Sequence, residues 1–414
     1  MMFKQYLFVL AMSFGFVNAQ SVAVATEYQW VQLGEGSSQI IRSIEKAESC
    51  PELEIDGRIV EMDVRAVAEP DHPGFVCEKV VSRSVLNATL DGEVLPLLKP
   101  EVKRIVAVGD TGCRIRGSRV QACNNAEAWP LGEIVASIEQ YKPDLVIHVG
   151  DYIYRSSACP PSGNCQGSPY GDRLATWISD WFGPARSLMA QVPIIFVRGN
   201  HETCNRNAVG WFRYMANGPV PADCPAVTAP WKTTIDGLDL ITFDVAAGTS
   251  PRSDPAYLST YRANAERVFE GLGDEAWFLT HRPLWAYLKA FGTTITGDET
   301  QKTAFGRVMP SAITLILSGH IHISQALDMA DAPIQIIAGN SGTQLDPAPG
   351  DQEADISLSG DIAQGVYGEA GFGFLVLDRL DIRKWQIRAM DKGGNVRRRC
   401  VAQDRELSCG ELIR

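Results

Sequence analysis

Five apolar, β-branched runs in this chain each give way abruptly to a short polar signature. The run at 104–108 leads into GDTG, 144–149 into GDYIY, 193–197 into GNHE, 276–280 into THRP and 313–317 into SGHIH. Short runs of this composition between turn formers read as strands. A sixth such run, 238–243, carries no polar signature. Helical patterns alternate with these strands: LGEIVASIEQY behind Pro130 has proline in its first turn, and DPAYLSTYRANAERVFEGLG closes on glycine. Strand and helix in alternation predict an α/β core.

Open α/β sheets collect their ligand-binding groups at the carboxyl ends of strands. The signatures therefore place Asp110, Asp151, Tyr154, Asn200, His201, Glu202, His281, His320 and His322 on one rim. Four of the chain's six histidines fall within them. If the segment after 313–317 stays extended, His320 and His322 share a face and point the same way. Carboxylate, amide, phenol and imidazole together suit hard or borderline metal ions and do not make a soft thiolate site. Glycines at 109, 150, 199 and 319 fit tight turns and close backbone approach.

Each residue alone has a plainer reading. Aspartate caps turns, and Tyr152 lies close enough to Tyr154 for either to be a packing aromatic; spacing favours Tyr154. Glu202 either orients His201 or is solvated. His148, three residues before Asp151, points to the opposite face by strand alternation and reads as a buried structural histidine. His72, in EPDHPG, reads as a solvated turn residue. The stretch GNSGTQLD, 339–346, is either a plain loop or backbone brought to the site.

The opening segment MMFKQYLFVLAMSFGFVNAQ has one lysine, an apolar run at 6–17 and small residues at 17–19. It predicts an export signal over 1–19, with a run too short for the roughly 18–20 residues that cross a bilayer. The expected location is periplasmic or secreted, with no membrane span. Ten cysteines, an even number with no C-x-x-C, predict disulfides instead of zinc thiolates. Joining nearest neighbours gives 50 with 77, 113 with 123, 159 with 165, 204 with 224 and 400 with 409. A net charge of -11 lacks the basic balance of a nucleic-acid binder. Residues 20–100 read as a small β-rich N-terminal domain and 101–414 as the catalytic domain, with LLKPEVK at the junction. GFGFLVLDR and KWQIRAMD near the end predict a hairpin at a sheet edge.

Taken in order, the five signatures resemble those of the calcineurin-like metallophosphoesterases over roughly 104–344. The tyrosine three residues after Asp151 makes the chain most similar to the purple acid phosphatase branch. The resemblance implies an α/β two-sheet sandwich flanked by helices, beside the N-terminal β-rich domain. It implies that Asp110, Asp151, Tyr154 and His322 hold one metal ion and that Asp151, Asn200, His281 and His320 hold a second, with Asp151 bridging. Phenolate is a hard anionic donor, so Fe(III) is expected at the Tyr154 site and divalent Fe, Zn or Mn at the other. The activity implied is that of an exported, acid phosphatase-like hydrolase cleaving small phosphomonoesters. The expected route is direct attack of a metal-bound hydroxide without a covalent enzyme intermediate. His201 is the candidate catalytic residue, stabilising the transition state and protonating the leaving oxygen. A phosphodiesterase or nucleotide-cleaving relative is the alternative; a non-catalytic phosphate-binding protein is disfavoured because no ligand is missing. Plant-type purple acid phosphatases carry further substrate-facing histidines after the one matching His281, whereas none lies between His281 and His320 here. Protonation then rests more heavily on His201, and Arg282 either supplies positive charge or is structural. Oligomeric state leaves no mark in the sequence.

Overall fold

A computed structural model describes residues 26–249, 252–290, 293–352 and 355–413; the expected export signal lies outside the described residues. In the strand Arg104–Val108, side chains alternate between two cores, as period-two geometry requires. Ile105 and Ala107 join one buried cluster with Leu145, Ile147 and Ile195, and across from them sit Leu240, Trp277, Leu279, Leu315 and Leu317. Val106 and Val108 face the other way, with Val146, Ile194 and Phe196, onto Leu131, Ile134, Val135 and Ile138 of the helix Leu131–Tyr141. On the far side, Ile241, Phe243 and Phe278 pack on Tyr261, Ala265 and Val268 of the helix Pro255–Phe269. The result is helix, sheet, sheet, helix. Each fully buried aliphatic or aromatic side chain contributes roughly 1.5–3 kcal/mol relative to exposure.

The first sheet has eleven strands among the described residues. In sheet order they are Glu406–Cys409, Val396–Gln403, Lys384–Asp391, Gly373–Asp381, Arg104–Val108, Leu145–His148, Ile194–Phe196, Thr26–Leu33, Ser38–Glu45, Phe75–Ser82 and Asp63–Ala66. The second has eight: Trp231–Ile235, Leu238–Phe243, Glu275–Thr280, Ile313–Ser318, Ile334–Ala338, Ser324–Met329, Asp361–Glu369 and Ile356–Leu358. Each sheet has a parallel centre. Arg104–Val108, Leu145–His148 and Ile194–Phe196 run parallel in the first, and Leu238–Phe243, Glu275–Thr280 and Ile313–Ser318 in the second. The six expected strands are thus present, divided three and three.

Two regions differ from expectation. Gly373–Asp381 and Lys384–Asp391 form the expected hairpin, but it is not at the sheet edge: the first strand pairs with Arg104–Val108 and two further antiparallel strands follow the second. At the other end, Thr26–Leu33 lies parallel to Ile194–Phe196 through the Gln32–Ile194 pair. Hydrogen bonding and core both cross residue 100, because Leu33, Leu98 and Val102 enter the inter-sheet cluster. A separate four-stranded sheet, Arg58–Val60, Leu53–Ile55, Ala88–Leu90 and Glu93–Val94, adds a small amino-terminal layer. His72 is buried, not solvated: its turn folds under the helix Ala208–Tyr214, bringing Nδ1 to 2.9 Å from the Tyr214 hydroxyl.

All ten cysteines pair with their nearest neighbours, and the five bridges indicate an oxidising, exported environment. Among the described residues no helix is long and apolar enough to cross a membrane.

Candidate metal centre

The signatures leave the carboxyl ends of three parallel strands in the first sheet and two in the second, and meet between the sheets. Asp110, Asp151 and His320 turn there through left-handed backbone, with φ of 56°, 62° and 70°. Such conformations are uncommon for residues with a Cβ and cluster at functional sites. Gly150 has φ of 102°, and a Cβ on it would sit 2.6 Å from His281 Nδ1. A Cβ on Gly319 would lie 2.4 Å from Asp110 Oδ2. Two of the glycines are therefore required by close approach.

The tyrosine hydroxyl of Tyr154 lies 2.7 Å from Asp110 Oδ1, 2.7 Å from Asp151 Oδ2 and 3.1 Å from His322 Nε2. His281 Nε2 lies 3.1 Å from Asn200 Oδ1 and 3.3 Å from Asp151 Oδ1. Donor atoms of Asp151, His281 and His320 fall within 4.8 Å of one another. All seven expected ligands thus come together in two groups, and Asp151 turns one oxygen to each. His281 donates Nδ1–H to the Val149 carbonyl at 2.8 Å, so Nε2 is the nitrogen it could turn to a metal ion. His320 and His322 do not share the face of an extended strand. The strand ends at Ser318 and the chain bends, so His320 reaches His281 and Arg282 while His322 reaches Tyr154.

These residues fit a metal pair. Neighbouring donors bound to one cation at about 2.0–2.2 Å lie roughly 3 Å apart, which matches the spacings above. Electrostatics agrees. Burial pushes Asp110 up to about 8, with the Asp151 charge adding to burial and His281 opposing it. Burial and the two carboxylates hold the Tyr154 phenol well above its ordinary value. A phenolate here needs a strong cation beside it.

Outer partners hold the loops. Both oxygens of buried Glu202 accept backbone N–H groups: Oε2 from Asp151 and Gly199 at 3.1 Å each, Oε1 from Tyr152 at 3.0 Å. The open question over Glu202 resolves to a clamp between two signatures. Asp180, on the π-helical turn Ile178–Phe182, accepts from the backbone of Cys113 and Tyr154 and pairs with Arg155 at 2.5 Å. Asp346 accepts the His322 N–H at 3.0 Å, and Thr343 N–H donates to the Asp110 carbonyl at 2.8 Å, so the 339–346 stretch borders the site. Asp180 carries no sequence signal, being an isolated acid, whereas Asp346 closes the 339–346 stretch whose backbone the sequence offered as a neighbour of the site. His148 lies behind Asp151, 2.9 Å from the Thr111 hydroxyl and stacked on Tyr152.

His201 packs its ring on Tyr154 with centroids 3.9 Å apart and donates its backbone N–H to Asp151 Oδ1 at 2.8 Å. Its Nδ1 lies 2.9 Å from the Ile153 carbonyl. A carbonyl only accepts, so Nδ1 carries the proton and Nε2 is the remaining ring nitrogen. Burial lowers the ring's pKa to about 3.

Comparison with solved structures finds this fold in the purple acid phosphatase PPD1 from yellow lupin (Lupinus luteus) seeds, at 15% identity and a TM-score of 0.58, covering 93% of this chain and 74% of that one. The PhoD structure matches at 12% identity and a TM-score of 0.58, covering 98% of this chain and 94% of that one. Comparison with curated protein sequences yields no match. The family model described as calcineurin-like phosphoesterase matches residues 103–324, a span that runs from the first signature through the last. By that match the chain belongs to the calcineurin-like phosphoesterase family, whose members are metal-dependent phosphoric ester hydrolases with a dinuclear centre.

Proposed function

We propose that this protein is an exported phosphatase that hydrolyses small phosphomonoesters by in-line displacement with water, without a covalent enzyme intermediate. The observation that carries this reading is the division of Asp151, with Oδ2 toward Tyr154 and Oδ1 toward His281. A carboxylate so placed serves two neighbouring cations at once. Asp110, Asp151, Tyr154 and His322 would hold Fe(III), and Asp151, Asn200, His281 and His320 a divalent iron, zinc or manganese ion. When bound, such a pair supplies an acidified water and neutralises charge on the attacking and leaving oxygens. The chain supplies the rest. Glu202 and Asp180 hold the loops in register, and His201, packed on Tyr154 with its ring proton on Nδ1, would protonate the leaving oxygen as an imidazolium, once Nε2 has taken up a proton from the medium at acid pH.

Turnover of p-nitrophenyl phosphate against bis(p-nitrophenyl) phosphate under matched metal loading tests the substrate class. The monoester is expected to give the higher kcat/KM; a strong diester preference overturns the monoester assignment. His201→Ala is expected to lower kcat by about 10²–10⁴ while metal content is retained. Metal loss in that variant would make His201 a ligand instead.

A further inference from the structure

Among the described residues the buried arginines are ion-paired, with one exception. Arg42 meets Glu78, Arg155 meets Asp180, Arg198 meets Asp244, Arg213 meets Glu69 and Arg398 meets Glu369. Arg282 is buried and has no carboxylate at ion-pair distance among the described residues; Asp298 and Asp151 act on it only at longer range. Two of its nitrogens are tied down, Nε to the Val245 carbonyl at 3.2 Å and Nη2 to that of Ala246 at 3.5 Å. The third, Nη1, is aimed at the cluster, 3.2 Å from His320 Nε2.

Arg114 is placed similarly on the other side. Its guanidinium lies over Tyr154, 5.0 Å from the ring centroid, with Nη2 3.4 Å from His322. Its Nε is buried without a partner, and it too forms no ion pair among the described residues. Both cations border the site from opposite sheets, in a chain where acids outnumber bases 49 to 38. An isolated buried charge such as that of Arg282 is costly, Arg114 being half-buried, and planar guanidinium donors match phosphate oxygens.

We infer that Arg114 and Arg282 grip the substrate phosphate from its two sides. Two guanidinium charges suit a dianionic monoester better than a singly charged diester. The inference rests on the phosphatase reading and names the residues that bind its substrate.

The test is calorimetric binding of inorganic phosphate to the metal-replete enzyme, with metal content and steady-state kinetics measured in parallel. Arg114→Ala is expected to weaken phosphate binding and raise KM by about 10- to 100-fold, the range for losing a hydrogen bond to a charged group, with metal content unchanged. Arg114→Lys should recover part of the loss, and Arg282→Lys should behave as a milder version of the same defect. Unchanged phosphate affinity in Arg114→Ala, beside a wild type that binds phosphate and turns over monoesters, overturns the arginine grip and leaves the phosphatase standing. Weakened phosphate binding in the variants of an enzyme that prefers diesters upholds the grip and removes the monoester reading. A wild type that binds no phosphate removes both.

Discussion

The first sheet supplies every oxygen donor of the cluster, Asp110, Asp151, Tyr154 and Asn200, whereas the second supplies only imidazoles, His281, His320 and His322. The supports differ in the same way. In the first sheet each ligand-bearing loop continues into a segment closed by a disulfide, Cys113–Cys123, Cys159–Cys165 and Cys204–Cys224, and a buried carboxylate, Glu202, clamps the backbone. The second sheet contains no cysteine. Its corresponding clamp is a neutral amide: Gln335 accepts from Leu284 N–H at 3.0 Å and donates to the Ser318 hydroxyl at 2.9 Å. Gathering carboxylates in a buried site requires working against repulsion and desolvation, and covalent loop closure limits the ways those loops can relax. Imidazoles bring no negative charge into the site and need less support.

The comparison predicts that charge in the first sheet dominates metal retention. Asp151→Asn keeps shape and removes the shared charge, so activity should fall on the order of a thousandfold or more, beyond the roughly 10- to 100-fold typical of outer partners. Both metals should be lost or weakened by elemental analysis, whereas His281→Ala should weaken one. Near-normal activity and metal content in Asp151→Asn would break the bridging assignment. A visible spectrum sharpens the same contrast, because a phenolate-to-iron band should vanish in Tyr154→Phe and persist in His281→Ala.

Exchanging the clamps should produce a smaller difference. Glu202→Gln places an amide N–H against backbone donors and should reduce metal affinity by about 10- to 100-fold. Gln335→Ala should instead cost about 1–3 kcal/mol of stability in denaturant titrations, with metal affinity nearly unchanged. Equal effects of the two on metal binding would erase the asymmetry between the sheets.

The smallest effect concerns pH in the metal-free protein. Asp110 is raised from 3.8 to about 8, with burial the largest cause. His281 is raised from 6.5 to about 9: burial opposes the shift, and Asp151 more than offsets it. For each, the folded form holds a proton that the unfolded form has released, so stability falls as pH rises through the window they share, about 6.5 to about 8. Thermal melts of metal-free protein should decline across that window, and metal binding should flatten the decline. A melting temperature that rises with pH there would contradict the burial of uncompensated charge.

Much of this arrangement was legible along the chain because it is local. A strand ending in Gly-Asp or Gly-Asn-His carries its chemistry and its turn in adjacent residues; the helix Pro255–Phe269 begins at its aspartate and proline and ends just before Gly271, whereas Leu131–Tyr141 starts one residue after Pro130 and ends on Lys142 in left-handed backbone, without a glycine. Nearest-neighbour cysteines closed as expected for the same reason. The pattern near the chain ends was less informative, since short alternating strands do not reveal their partners. Only assembly shows that Thr26–Leu33 and Gly373–Asp381 extend one sheet on either side of its parallel centre.

What sequence alone determined was the set of candidate donors and their order, through residue type and spacing within each turn. Tertiary structure decided which donors share a neighbour: the splitting of Asp151 between two groups, the bend that separates His320 from His322, and the arrival of Arg114, Asp180 and Asp346 beside partners distant in the chain. The physical reason is that period-two alternation specifies which face a side chain takes, while its neighbour across a face depends on how two sheets pack over one shared apolar core.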